Sequence, residues 1–569
     1  MKDKFVHQSK ILSSTIILNL FLIYFLSQIG FLLSFPISAF YVTLATILSV
    51  LFLVYVNKKD GKSSFDIIVQ LLFYFAFFVV SYFLAVNFWD YSCDGRTYHQ
   101  LGISLMRNGF NPVYDYNIVS MYINTALMPK MALIDHSLSQ PKFIETVAAN
   151  FYFIFKNIEA GKLLNYLLWF ASFLYSYYSL NNFKNIKPSK AILFGVLLNL
   201  NPIILSQLQT YYVDGNTYIF FLLIVLTIIN IEKREEPDDR FNYAFLFITS
   251  AIFASIKMSN LLFIFLIIIF YFAYLICLKN SARLKQMLLL VLSLGVFGII
   301  TGVNPYYTNI KQGFDVFYPI HNQFIKDGMK ISTPNVIKGK SSLEQFVISI
   351  FSPVSNNIQA NQNKKIIKLP FTISHEEYIS SPDIRLGGFG VFFSGILILS
   401  LILLFALRFE DKKEKTLFIT LLLILVSSTL LQPLGWWVRF IPQLWLLPLL
   451  IMIYSYNEDN VLIKGKFIFH LLVLAILFNS FIFLVLGFKE SYKYTNYTKS
   501  AFDKIIKSQK TLKLCIPSND NFFEYSLFTK FYDNNIRFNV INNVQPPKGF
   551  ELTPECINNG IYWNYDGKH

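Results

Sequence analysis

The sequence predicts an all-α polytopic membrane protein with about thirteen transmembrane helices, large outer loops and a small α/β appendage at its C-terminal end. Three observations carry this. Hydrophobic residues make up 54% of the 569-residue chain and charged residues only 15%, far less charge than a soluble chain of that size carries. Apolar runs long enough to cross a hydrocarbon core of about 30 Å recur from end to end. The Lys and Arg of the short connections fall almost entirely in alternate ones.

The apolar runs lie near 11–33, 36–56, 65–87, 163–181, 190–206, 217–231, 241–257, 259–278, 286–303, 388–408, 416–432, 440–455 and 466–487. "MKDKFVHQSK" is basic and leads into more than twenty apolar residues. That exceeds the core of a signal peptide, so the first run is read as a retained helix. Runs 241–257 and 259–278 abut, which also admits one re-entrant feature. With the N-terminus inside, the cytoplasmic segments are "MKDKFVHQSK", "NKKDGKSS", "NNFKNIKPSK", "EKREEPDDR", "KNSARLK", "RFEDKKEK" and "NEDNVLIKGK". They hold 21 Lys and Arg, against only Lys257 and Arg439 in the short outer connections. This is the positive-inside pattern. It accounts for the net charge of +15 as a topology signal and leaves no role for nucleic acid.

A transmembrane module over 1–487 then carries two large outer loops, about 88–162 and 304–387, and residues 488–569 form an extracytoplasmic α/β domain. That domain reads as β-like "TLKLCIPS", helix-like "NFFEYSLFTKFYDNN" and β-like "IRFNVINNV". Cys515 and Cys556 both lie in it, where an oxidising compartment permits a disulfide; Cys93 and Cys277 stand apart, and no spacing suggests a zinc site. Richness in Lys, Asn, Ile and Phe suits an AT-rich bacterial genome, so the bilayer is expected to be the bacterial cytoplasmic (inner) membrane. There is no internal repeat of the inverted kind that many transporters show.

The spans are almost free of ionisable residues. The exceptions cluster where helices meet the outer surface: Asp90 and Asp94 in "NFWDYSCDGRTYHQ", Asp214 in "QTYYVDGNTY", Lys257 in "SIKMSN" and Arg439 in "GWWVRFIPQLW". Charge at such depth is costly and marks function by default; snorkelling is the plainer explanation. Carboxylates can take a proton from a hydroxyl or hold a metal, while Arg and Lys grip phosphate. A phosphate at a membrane surface with a long apolar attachment describes a polyprenyl-phosphate lipid, its tail against the helices and its sugar facing the carboxylates.

Four segments carry a family resemblance. "DGRTYHQLGISLMRNGFNP" (Asp94 to Pro112) has the acid, the Tyr-His pair and a Gly-x-Asn-Pro end. "SQPKFIETVAANFYFIFKNIEAGKLLN" leads into the next span, "NPYYTNIKQGFDVFYPI" opens the later large loop, and "WVRFIPQLWLLP" is a late Arg-aromatic-x-Pro motif. Together, over about half the chain, they resemble the GT-C superfamily of integral-membrane glycosyltransferases, which includes protein O-mannosyltransferases and lipid A aminoarabinose transferases. The resemblance implies transfer of a hexosyl or pentosyl group from a polyprenyl-phosphate-linked donor to a hydroxyl on a glycan, lipid or protein, with inversion at the anomeric carbon, in cell-envelope assembly. It departs from the family in two ways. The acidic loop follows the third span instead of the first, and three residues separate Asp90 from Asp94, so they form no Asp-x-Asp. A divalent cation is therefore left open as cofactor, and no other is expected.

On this reading Asp94 is the catalytic base, with Gly95 letting a substrate approach the backbone, and Asp90 is the runner-up or a cap on the span. Arg439 and Lys257 are the foremost phosphate ligands, with Asp214 beside them. Arg96 and Lys142 are further phosphate candidates against plain headgroup attraction; Tyr98 and His99 orient sugar or acceptor, against an ordinary interfacial helix. "GGFGVFFSG" lacks nucleotide-loop spacing and reads as close helix packing, "HEEY" as a solvated loop, and "SSLEQFVISIFSPVSN" as an amphipathic stretch suited to an interfacial lid. Two other classes compete. A surface-polysaccharide polymerase would put basic residues in its outer loops without an early acid motif, and a lipid-linked-sugar transporter or flippase would put polar groups near mid-span.

Overall fold

The computed structural model describes residues 2–115, 138–233, 239–320, 323–359, 367–377, 381–457, 463–508, 511–515, 525–541, 551–552 and 562–564. Each of the thirteen apolar runs falls on helix. In chain order the helices used below are α1 (Lys2–Leu32), α2 (Ala39–Lys59), α3 (Ser64–Asn87), α4 (Gln100–Arg107), α5 (Phe143–Phe155), α6 (Leu163–Leu180), α7 (Pro188–Asn199), α8 (Pro202–Gln207), α9 (Asp214–Lys233), α10 (Arg240–Ala254), α11 (Ser259–Cys277) and α12 (Ser281–Thr301). They continue as α13 (Gln323–Ser332), α14 (Ser342–Phe351), α15 (Phe393–Ala406), α16 (Lys412–Leu430), α17 (Leu446–Asn457), α18 (Ile463–Ser508) and α19 (Tyr525–Asp533). Among the described residues, seven helices are long and apolar enough to cross a membrane.

Burial sorts them. The apolar window of α9 is buried along its whole length, as expected of a helix hydrophobic on every side. By contrast α2, α3 and α12 leave most of their apolar surface open, with Phe65, Leu72 and Ile299 exposed, which suits contact with lipid. Prolines divide two of the runs. Pro202 starts α8 after a break at Leu200–Asn201, where the Asn201 side chain accepts from Ile203 N at 2.9 Å and donates to Pro442 O at 3.1 Å. Pro442 opens a 3₁₀ turn, Pro442–Trp445, so regular helix in that run begins only at Leu446. The runs 241–257 and 259–278 are two separate helices, α10 and α11, that meet at a turn carrying Lys257. The outer loop also holds an apolar helix that its sequence left unassigned, α5.

The basic connections gather at one end of the bundle. There Glu232, at the foot of α9, accepts from Tyr271 and Tyr274 of α11 at 2.7 and 3.1 Å, pairs with Arg283 of α12, and lies 3.5 Å from Lys413 of α16. Lys233 pairs with Glu414 at 2.6 Å, and Lys4 with Asp66. A carboxylate with four donors there ties four helix ends together.

At the other end stand the three long segments. Helix α18 does not stop at 487: it runs unbroken for 46 residues to Ser508, about 69 Å at about 1.5 Å per residue, more than twice a bilayer core. The domain boundary expected at 488 therefore falls inside a helix. The tail is α/β as expected. Strands β1 (Leu512–Cys515), β2 (Phe538–Ile541), β3 (Glu551–Leu552) and β4 (Tyr562–Asn564) form one sheet of order β2-β1-β4-β3. β1 and β2 are parallel, joined through α19, and β4 is antiparallel to β1 and β3. Cys556 and the Cys515 side chain lie outside the described residues, whereas Cys93 and Cys277 are free thiols.

Candidate active site

Five segments at the end of the bundle away from the basic connections deliver charge to one place. Asp94 follows α3, Asp214 begins α9, Lys257 sits in the α10–α11 turn, Asp383 precedes α15, and Arg439 lies in a 3₁₀ turn, Val438–Phe440, before α17. The Arg439 guanidinium is the hub. Its Nη1 is 2.8 Å from Asp94 Oδ2 and 4.0 Å from Asp214 Oδ2, and its Nε is 3.2 Å from Asp383 Oδ1. Lys257 Nζ pairs with Asp214 Oδ1 at 2.7 Å, and Arg385 Nη2 with Asp383 Oδ2 at 3.3 Å. Rings close round the cations: the Arg439 guanidinium carbon is 4.3 to 4.9 Å from the centroids of Trp437, Tyr212 and Phe440, and Lys257 Nζ is 4.0 Å from Phe440. Such faces favour cations. The Tyr98 hydroxyl also hydrogen-bonds Asp94.

Local sequence explains the convergence. Gln207 Nε2 donates to Asp214 Oδ2 at 3.3 Å and to Pro382 O at 3.2 Å, and its Oε1 accepts from Gly215 N at 2.8 Å. One amide thus joins the N-terminus of α9, where a carboxylate is favoured, to the segment bearing Asp383. In the "GGFG" stretch, a Cβ on Gly388 would stand 2.2 Å from Val438 Cγ2, so glycine there lets the residue before Arg439 seat closely. Gly390 has φ +105° and faces Asn479, whose side chain donates to Phe389 O at 2.8 Å. The stretch is indeed for close packing, and the packing serves the site.

The pocket is partly open. Asp214 and Arg439 side chains are 3% and 7% exposed, whereas those of Asp94, Lys257 and Asp383 are 24%, 22% and 19%. Asp94, Lys257 and Asp383 are therefore the more accessible members of the cluster. Burial lifts the Asp383 carboxyl to about 6, against the opposing pull of Arg439 and Arg385. Burial also draws the Lys257 ammonium down, with Asp214 pulling the other way.

Of the residues singled out from sequence, Asp94, Asp214, Lys257, Arg439 and Tyr98 come together here. Four do not. Asp90 is fully buried in a separate network. Its Oδ1 accepts from Ser92 N at 2.8 Å and Ser92 Oγ at 2.6 Å, and its Oδ2 from Tyr211 N at 3.1 Å and Gln100 Nε2 at 3.2 Å. Arg96, also buried, reaches Ser92 O and the Tyr494 hydroxyl of α18, at 3.3 and 2.8 Å. His99 Nδ1 lies 2.7 Å from Glu145 Oε1, both buried, and Lys142 Nζ donates to Gln140 O at 2.6 Å. Gly95 answers a different demand from the one expected. A Cβ there would stand 2.0 Å from Asp90 Oδ2 and 2.3 Å from Ser92 Oγ, so the glycine makes room for a carboxylate of the protein itself. Asp383 and Arg385 escaped the sequence reading. The signal open to it was "PDIR", opposite charges two residues apart directly before a glycine-rich span entry. Among the described residues no group of three or more His, Cys, Asp or Glu is arranged to hold a metal ion.

No family model matches the chain, and no curated protein sequence does. Among solved structures, the crystal structure of ArnT from Cupriavidus metallidurans bound to undecaprenyl phosphate is similar, with a TM-score of 0.45 and 13% identity over 84% of this chain and 86% of that one.

Gly95→Ala is expected to lower the thermal midpoint of the detergent-solubilised protein by the equivalent of about 1–3 kcal/mol, the usual cost of overpacking. An unchanged midpoint would mean the Asp90 cradle relaxes freely.

Proposed function

We propose that the chain is a membrane glycosyltransferase that moves a sugar from a polyprenyl-phosphate donor to a hydroxyl acceptor on the extracytoplasmic face, of the GT-C type that its motifs resemble. The observation that carries the reading is the shared guanidinium of Arg439, within ion-pair distance of Asp94, Asp383 and Asp214, with Lys257 alongside and the pocket half open. The charge sits at the helix ends and not at mid-span, which speaks for an enzyme over a transporter.

The chemistry follows from exchange of partners. A donor phosphate presents anionic oxygens that a guanidinium fork binds as it binds a carboxylate, so it can replace Asp94 on Arg439. Asp94 is then released beside the anomeric carbon with a lone pair free. The acceptor hydroxyl oxygen attacks that carbon and its proton passes to Asp94. The sugar–phosphate C–O bond breaks with its electrons going to the phosphate, whose growing charge Arg439 and Lys257 offset. Asp214 and Asp383 keep the buried cations neutralised throughout, and Tyr98 orients Asp94.

With labelled sugar on total polyprenyl-phosphate donors in membranes, Asp94→Asn at equal expression should lower transfer by about 10²–10⁴-fold, the range for a lost general base; normal transfer by the variant would remove Asp94 from the role. A pH series tests Asp383 separately. Its carboxyl is held above the ordinary 3.8, at about 6, so between these values it keeps a proton and Arg439 lacks one of its anions. Transfer should therefore fall as pH drops through about 6, and Asp383→Asn should abolish that limb. A limb unchanged in the variant would assign it to another group.

A further inference from the structure

The tail helix α19 is anchored by charge and not by apolar packing alone. Lys530, 4% exposed, brings Nζ to 3.0 Å from Glu159 Oε1 and 4.5 Å from the centroid of the Trp89 ring. One turn on, Asp533 accepts from the Tyr152 hydroxyl at 2.6 Å and from Ile158 N at 3.0 Å. The other oxygen of Glu159 takes Lys162 Nζ at 2.7 Å and Asp90 N at 3.1 Å. Lys162 also donates to Phe88 O at 2.5 Å and Gln209 O at 3.2 Å. Asp90 in turn holds Tyr211 N and Gln100. From Asp90 the chain reaches Asp94 in four residues, and from Tyr211 it reaches Asp214 in three.

We infer that Lys530 is a positioning residue of the active site: through Glu159 and Asp90 the C-terminal α/β segment sets where Asp94 and Asp214 stand. Charge arithmetic gives the reason. Glu159, Asp90, Lys162 and Lys530 form a buried set with two anions and two cations, neutral as a whole. Without Lys530 one negative charge is left in a site closed to water, and removing a single partner from a buried ion pair is strongly unfavourable. The set can relax only by protonating or by moving. Asp90 is the group most ready to take the proton, since burial already pushes its carboxyl up. Either response loosens the hydrogen bonds to Ser92 and Tyr211 that shape the backbone on the two sides of the pocket. The same segment is also held by α18, where Thr495 Oγ1 accepts from Trp89 N at 2.9 Å and the Tyr494 hydroxyl accepts from Arg96 at 2.8 Å. Losing Lys530 should thus shift the site without unfolding it.

The inference rests on the glycosyltransferase reading for its kinetic readout but not for its structural one. In full-length Lys530→Met, kcat should fall about ten- to a hundredfold, the scale of a small misplacement of reacting groups. The donor KM should stay within about twofold, since Arg439 and Lys257 are untouched, and Lys530→Arg should recover most of the rate. Hydrogen exchange of the substrate-free variant should accelerate in residues 88–100 and 207–214 and not in α9 beyond its first turn. Exchange unchanged in both segments overturns the inference, whatever the activity. Wild-type kcat in Lys530→Met overturns it too. Faster exchange with no sugar transfer even by wild type would leave the positioning role standing and remove the proposed reaction. Should Lys530→Met fail to accumulate, Asp533→Asn removes the second anchor outside the neutral set. It should show the same exchange pattern with a smaller loss of kcat, and unchanged exchange there overturns the inference equally.

Discussion

A guanidinium that is 7% exposed cannot be left without anions, and the segments round Arg439 are organised by that requirement. Taking an arginine out of water costs several kcal/mol even after relaxation. Arg439 recovers this by drawing in Asp94, Asp214 and Asp383 from three segments far apart in sequence. Those contacts bring together the end of α3, the start of α9 and the loop before α15. The aromatic walls of Tyr212, Trp437 and Phe440 complete the enclosure. Asp214 and Asp383 have second cations in Lys257 and Arg385, so Asp94 is the carboxylate of the three that the proposed reaction exchanges for another anion.

Behind Asp94 lies another charged network built by the same rule. Asp90 and Glu159 are balanced by Lys162 and Lys530, and they connect the backbone under Asp94 to the tail. At the far end of the bundle Glu232 plays the corresponding part for the feet of α9, α11, α12 and α16. Between the two charged ends the described spans are almost free of charged side chains, so ion pairing is concentrated at the two ends.

Much of this was legible in the sequence. Apolar run lengths located the helices, since period and length speak clearly over twenty residues. The scarcity of charge in the spans made Asp94, Asp214, Lys257 and Arg439 conspicuous, and the fold brings all four together. The β-α-β pattern of the tail was readable from its alternation. Other features depended on three-dimensional facts that no local pattern carries. The motif puts Asp94 ahead of Asp90 as the base, but nothing in the sequence shows the donors from Ser92, Gln100 and Tyr211 that enclose Asp90. Asp383 lies in an irregular loop with no periodicity to mark it. Gly95 looked like space for a substrate because the sequence does not say which neighbour claims that space. Helix α18 overran its expected end because a helix continuing past the bilayer needs no apolar signal. Lys530 could not be foreseen, its partner Glu159 being 371 residues away along the chain.

In the proposed reaction Arg439 trades a protein carboxylate for a lipid phosphate. The most direct test is the affinity of the purified, detergent-solubilised protein for a polyprenyl phosphate, compared between wild type and Arg439→Gln. Loss of a buried charge partner at a binding site is worth about 2–5 kcal/mol, so the variant should bind at least about 30-fold more weakly. Equal affinity would mean that the phosphate is held elsewhere and that Arg439 serves only to bind its three carboxylates together.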